Sequence, residues 1–208
     1  TGLSILDVCR AAGHTLVEAL QDGDELAIIQ YTNVASVVMP FRAMTRVGKT
    51  HAKATLDGLG PQGATNFWHS LTSAFDLCRG KPNAVVYNLT DGIPNMGEPG
   101  RGYKAALATY ADTRPLPMVT TFGFGKHLKS TILCDVADAT HGRFVYIPDP
   151  NFIGTSFVHA LANTFERQDH RAVVHVDGGK RHITLKNGGT THVVLDGDPK
   201  DVSLEHDG

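Results

Sequence analysis

Two short loops carry oxygen-bearing side chains in a pattern that could coordinate a hard cation: Gly63-Ala-Thr65-Asn66 and Leu89-Thr-Asp91-Gly92. A threonine hydroxyl and an aspartate carboxylate are oxygen donors of the kind Mg²⁺ accepts. The flanking glycines permit sharp turns and close backbone approach to a ligand. Each residue also has an ordinary use. Thr65 or Asn66 could N-cap a following helix, and Asp91 before Gly92 could cap a turn.

Other chemistries find less support. The eleven histidines are scattered, with no His-x-x-x-His pair and no Cys/His cluster at ligand spacing, so they read as solvated or structural. Cys9, Cys78 and Cys134 form neither a zinc pattern nor a disulfide framework. Two of them fall on apolar helix faces, as buried thiols would, which tilts the chain towards a reducing, intracellular compartment. No Gly-x-Ser-x-Gly elbow presents a nucleophile. Gly123-Phe-Gly125 lacks the third glycine of a dinucleotide loop. Asn88-Leu-Thr90 matches a glycosylation sequon but sits on an apolar run that reads as a buried strand. Trp68 and His69 follow the Thr65 loop, and Trp68 is expected to pack rather than to form a contact surface. A formal net charge of −2 without runs of one sign argues against nucleic acid or an acidic membrane as partner. No apolar stretch approaches the ~20 residues that span a bilayer.

The elements that must position the two loops follow from periodicity. Ile5, Cys9, Ala12, Leu16 and Leu20 mark one face of a helix, with Ser4 and Asp7 as a capping box and Gly23 as its C-cap. Leu26 to Tyr31 and Ala35 to Phe41 read as strands paired in a hairpin, the second ended by Pro40. Helices are expected over 48–59, from Phe67 to Cys78, over 103–111, 130–139 and 155–166. Strands are expected over 84–89, 118–122 and 144–147. Alternating strands and helices with short connections give an α/β fold: a doubly wound, mostly parallel sheet with one antiparallel edge strand and helices on both faces. From about residue 169 the pattern changes. Stretches 172–176, 182–186 and 191–195 read as strands, with Asn187-Gly-Gly189 as a hairpin signal, so residues 169–208 are expected to begin a second, β-rich domain. In open parallel sheets, ligands bind at the carboxyl ends of the strands, where both loops fall.

Over residues 1–168 the chain resembles the von Willebrand factor type A (vWA) domains, whose sheet is Rossmann-like. The two loops look like the second and third loops of the metal-ion-dependent adhesion site (MIDAS) of that family. The order of elements, Asp22-Gly-Asp24 before a strand, and the Phe122-Gly-Phe-Gly125 strand end are further similarities. The resemblance implies that Thr65 offers its hydroxyl to the metal and that Asp91 holds it mainly through water. It implies a protein-binding module, not an enzyme, in which a Mg²⁺ (or Mn²⁺ or Ca²⁺) accepts an acidic residue from a protein partner.

One departure is large. The family's Asp-x-Ser-x-Ser motif, at the end of a central first strand, does not occur in this chain; Thr1-Gly2-Leu3-Ser4 already leads into the helix. The chain is therefore expected to lack that strand, as a truncation or as a variant, and to bind Mg²⁺ weakly or not at all. A missing central strand should leave its two neighbours without backbone partners. A nucleotide-binding doubly wound enzyme and a metal-free vWA scaffold are the alternative readings.

Overall fold

A computed structural model of the chain describes residues 4–61, 63–81, 83–90, 93–125, 128–147, 158–159, 170–176, 179–185 and 202–206. The chain divides into two compact units, Thr1–Val158 and His159–Gly208.

The first unit begins with α1 (Ile5–Ala19), whose capping box forms as the sequence requires. The Asp7 N–H donates to Ser4 Oγ at 3.2 Å, and the Ser4 N–H donates to the Asp7 carboxylate at 3.1 Å. The helix stops at Leu20, in extended conformation, and not at Gly23. Asp24 explains the early stop: its carboxylate accepts the Gln21 N–H at 2.7 Å and its own N–H donates to the Gln21 carbonyl at 2.9 Å. That side-chain turn competes with another round of helix.

Strands β1 (Glu25–Tyr31) and β2 (Ala35–Ala43) form the expected antiparallel hairpin. Pro40 does not end β2. The register shifts between Leu26↔Arg42 and Ile28↔Met39, so Pro40 lies in a bulge on an edge strand, where a missing N–H is tolerated. Two helices follow, α2 (Arg46–Asp57), capped by Thr45, and α3 (Phe67–Leu77), capped by Asn66. Then β3 (Val85–Thr90), α4 (Tyr103–Ala111), β4 (Met118–Phe124), α5 (Ser130–Ala139) and β5 (Phe144–Ile147) alternate. Strands β3, β4 and β5 form a parallel sheet in that order. His141, in left-handed conformation, closes α5: its N–H donates to the Asp138 carbonyl at 3.3 Å, and the Gly142 N–H to the Ala137 carbonyl at 2.8 Å. This is the Schellman pattern. The helix expected over 155–166 lies outside the described residues.

Two apolar clusters hold the layers together. Val17, Leu20, Met39, Met44, Ala52 and Leu56 join α1 and α2 to the hairpin, with Leu26 and Ile28 packed against them. Phe67, Leu71, Phe75, Leu107, Val119 and Val136 join α3, α4 and α5 to the parallel sheet. Trp68 packs as expected, edge-on to Tyr103 and Tyr110 at centroid distances of 5.9 and 6.4 Å. The three cysteines are half-buried, not buried, and Cys78 lies just past the end of α3 rather than on its face.

Among the described residues, β1 and β3 share no ladder. Side chains bridge them at both ends. Lys81, ahead of β3, pairs with Glu25 at the start of β1. At the far ends the Tyr31 hydroxyl lies 3.1 Å from the Leu89 carbonyl and 3.2 Å from Asn88 Oδ1. Start meets start and end meets end, so β1 and β3 run in the same direction. Between them lies a cleft of about 1480 Å³, lined by every residue of both strands.

The second unit contains β6 (His170–Val176), β7 (Gly179–Leu185) and β8 (Val202–His206), antiparallel in the order β7-β6-β8. The hairpin forms between β6 and β7. The signal at Asn187-Gly-Gly189 and the strand expected over 191–195 fall outside the described residues, and β8 was not anticipated.

A polar clamp fastens α3 to α4. Arg79, Arg114 and the Tyr110 hydroxyl all donate to Asp76 Oδ1, at 2.8, 2.9 and 3.1 Å. Burial pushes the Asp76 carboxyl up, but these donors outweigh it and its pKa lies below the ordinary value. A depressed carboxyl stabilises the fold above its unfolded pKa, and that contribution is lost as pH falls through the folded value. Asp76→Asn should therefore flatten the loss of stability on acidification below about pH 4. Urea melts of both proteins between pH 3 and 6 check this; parallel pH profiles would refute it.

Candidate functional site

The Thr65 loop hangs on the turn of the β1–β2 hairpin. The Asn66 N–H donates to the Thr32 carbonyl at 2.8 Å, and Asn66 Nδ2 to the Asn33 carbonyl at 2.9 Å. Asn33 reaches back, its Oδ1 accepting the Ala64 N–H at 2.7 Å. On the other side Asn95, beyond β3, clasps the backbone of Thr65. Its Oδ1 accepts the Thr65 N–H at 2.9 Å, and its own N–H donates to the Thr65 carbonyl at 3.2 Å. Two loops far apart in sequence are thus joined at the carboxyl ends of β1 and β3.

Asn66, not Thr65, caps α3, its Oδ1 accepting the His69 N–H at 3.1 Å. Among the described residues no hydrogen bond engages the Thr65 hydroxyl, which sits half-buried on the wall of the β1–β3 cleft. The backbone of Thr65 is fixed while its oxygen remains available to a ligand. Asp91, the other residue singled out, lies outside the described residues; Thr90 before it is buried.

Asn33 and Asn95 escaped the sequence reading, and His69 was noted there without a role. His69 Nδ1 accepts the Ala35 N–H at 2.8 Å, which pins α3 to the start of β2 and places the ring proton on Nε2. Nothing in spacing alone marks these residues. The available signal was the density of asparagines near glycines, which favours side-chain-to-backbone turns. Glu98 and Lys129, paired at 3.1 Å, tie the loop after β3 to the start of α5.

Two glycines make the close approach possible. Gly63 has φ +53°, and a Cβ there would stand 2.5 Å from Asn33 Oδ1. Gly97 has φ +67°, and its Cβ would stand 2.6 Å from Asn66 Oδ1. Among the described residues no group of three or more His, Cys, Asp or Glu side chains is placed to hold a metal ion. No helix there is long and apolar enough to cross a membrane.

No family model matches the chain. An uncharacterized protein of Synechocystis sp. is 26% identical over 193 residues, 91% of this chain and 43% of the relative. Among solved structures, a von Willebrand factor type A protein from Catenulispora acidiphila superposes with a TM-score of 0.65 at 21% identity, covering 84% of this chain and 42% of that one. The ArnB paralog VWA2 of Sulfolobus acidocaldarius gives 0.59 at 14% identity, over 87% and 48%. Proximal thread matrix protein 1 (PTMP1) of the mussel byssus, with a zinc-occupied MIDAS motif, gives 0.59 at 14% identity, over 83% and 44%. The fold is that of the vWA domains. The chain spans less than half the length of these relatives.

Replacing Gly63 tests the loop architecture. Gly63→Ala forces a side chain into the left-handed region and drives Asn33 from the Ala64 N–H. It should cost roughly 1–2 kcal/mol from the backbone conformation alone and speed amide exchange at Ala64 and Asn66. Exchange rates unchanged from the parent would refute the clasp.

Proposed function

We propose that this chain is a protein-binding module whose partner docks at the carboxyl ends of β1 and β3, with Thr65 and Asp91 as its contributions to a metal site. The observation that carries this reading is the Thr65 hydroxyl. It is held in place through its own backbone by Asn95 and is uncommitted to any hydrogen bond among the described residues. PTMP1, similar in fold, is described with a zinc-occupied MIDAS motif, which supports a metal at the corresponding loops.

A divalent cation there would supply concentrated positive charge and an open position for a partner's carboxylate. One hydroxyl and one carboxylate fit the oxygen preference of Mg²⁺, but they are too few for the near-octahedral set it demands. Water or oxygens from outside these 208 residues must complete the shell, so the chain by itself binds Mg²⁺ weakly. The residues nearby are asparagines and threonines, suited to shaping a polar docking surface. Binding, rather than catalysis, is the activity this set supports.

Selection from a random peptide library with 10 mM Mg²⁺ should enrich sequences rich in Asp and Glu that elute with EDTA. Thr65→Val and Asp91→Ala should both abolish that enrichment while leaving the melting temperature in EDTA within a few degrees of the parent. Binders without acidic bias, or binders that survive EDTA, would instead establish a metal-free scaffold. Calorimetry of the chain alone should show no Mg²⁺ binding tighter than about millimolar; a micromolar constant would overturn the incomplete-shell reading.

A further inference from the structure

We infer that the Thr65 face takes a protein segment with one acidic residue between apolar ones, whose apolar side chains seat on Val34 and Met96. This rests on the metal reading of Thr65 and Asp91 and narrows it, from an acidic partner to a single acid in apolar surroundings.

Val34 is 57% exposed and Met96 40%. Both lie in loops, where glycine and short polar residues are the rule. A single exposed apolar side chain is ordinary, but these two are brought together by one asparagine. The carbonyl of Asn33, just before Val34, accepts Asn66 Nδ2 at 2.9 Å. Gly97, just after Met96, lies against the same amide: a Cβ there would stand 2.6 Å from Asn66 Oδ1 and 2.9 Å from Nδ2. The backbones beside Val34 and Met96 are therefore separated by one amide group. Thr65 is the residue before Asn66, and Asn95, just before Met96, clasps its backbone. The loop that carries the Thr65 hydroxyl thus has an exposed apolar side chain on its hairpin side and another on its Asn95 side.

Charge selects the class of occupant. Residues 32–34, 63–66 and 93–97 include no charged side chain. Glu98, next along the loop, is paired with Lys129 at 3.1 Å. A cation held by Thr65 and Asp91 would offer one concentrated positive charge, so a first carboxylate gains a partner. A second carboxylate would find no free cation in these segments and would lose water against apolar side chains, which costs free energy. Valine and methionine side chains at the same places gain instead from contact with apolar groups. A polyanion repeats its charge and brings no apolar side chain, so it does not fit. Spacing follows from backbone geometry. In an extended segment residues two apart share a face. An acid aimed at the metal is therefore accompanied by the residues two before and two after it, and those are the positions that must be apolar.

The probes are capped peptides titrated into the ¹⁵N-labelled 208-residue chain in 10 mM Mg²⁺, with dissociation constants read from amide shifts. Gly-Leu-Ser-Asp-Ser-Leu-Gly should bind tighter than Gly-Asp-Ser-Asp-Ser-Asp-Gly by at least about fivefold, the gain from partly burying two apolar contacts. It should shift the amides of Val34, Thr65 and Met96. Gly-Leu-Ser-Asn-Ser-Leu-Gly should bind at least about fivefold more weakly, and EDTA should release both acidic peptides. Val34→Ser and Met96→Gln should each cut the preference for the leucine peptide over the three-acid peptide to about twofold or less. Val47→Ser, on α2 beyond the other end of β2 and 67% exposed, should leave the preference intact. Equal affinity for the two acidic peptides, both released by EDTA, would overturn the inference and leave the metal reading standing. So would silence of the leucine peptide at millimolar concentration while acidic library peptides still elute with EDTA. Binding of the leucine peptide that survives EDTA would overturn the metal reading, and with it the acid at the centre of this one. A dimer in sedimentation that Val34→Ser abolishes would overturn the inference by making a second copy the occupant.

Discussion

Among the described residues β1 and β3 run side by side in the same direction without a ladder between them, and this constraint shapes the first unit. A strand in the middle of a sheet is normally satisfied on both sides. Among the described residues β1 forms a ladder with β2 and β3 with β4, and the two form none with each other. The chain answers with side chains. Glu25 and Lys81 close the start of the cleft, and the Tyr31 hydroxyl supplies a donor to the Leu89 carbonyl at its end. These contacts hold two half-sheets in one orientation. One apolar cluster joins α1 and α2 to the hairpin and the other joins α3, α4 and α5 to the parallel sheet, and they carry the cohesion that a continuous ladder would have shared.

The candidate site inherits this division. The loop bearing Thr65 is fastened to the hairpin through Thr32 and Asn33, so it travels with β1. Asn95 follows β3 and travels with the parallel sheet. Their mutual pair, through the backbone of Thr65, is the contact that couples the two halves at the carboxyl ends. Asparagine suits this task because its amide offers an acceptor and donors at short reach and competes well with ordinary turn hydrogen bonds.

Most of the architecture was legible in periodicity. The helices over 103–111 and 130–139 and the strand over 144–147 fall where the apolar spacing put them. Errors arose where a local signal was outweighed. Gly23 looked like a helix stop, but Asp24 turned the chain earlier. Pro40 looked like a strand end, but a bulge on an edge strand absorbed it. The position of the Thr65 loop at the carboxyl ends of the strands was legible from residue type and placement. Its supports, Asn33, Asn95 and His69, were not, because their roles depend on which loops meet in space, and no regular spacing encodes that. The space between β1 and β3, with its two parallel walls, required the tertiary arrangement.

The separation of β1 and β3 and the geometry at Thr65 are therefore one variable rather than two. Anything that sets the spacing of the two strands also sets the distance between the hairpin turn and the loop after β3, because Asn33 and Asn95 anchor the Thr65 loop to one side each. Side-chain bridges at the two ends set that spacing, and both bridges use flexible side chains. The order of the Thr65 loop therefore depends on the short backbone contacts that Asn33 and Asn95 make, because each of those replaces a mobile link by a fixed one.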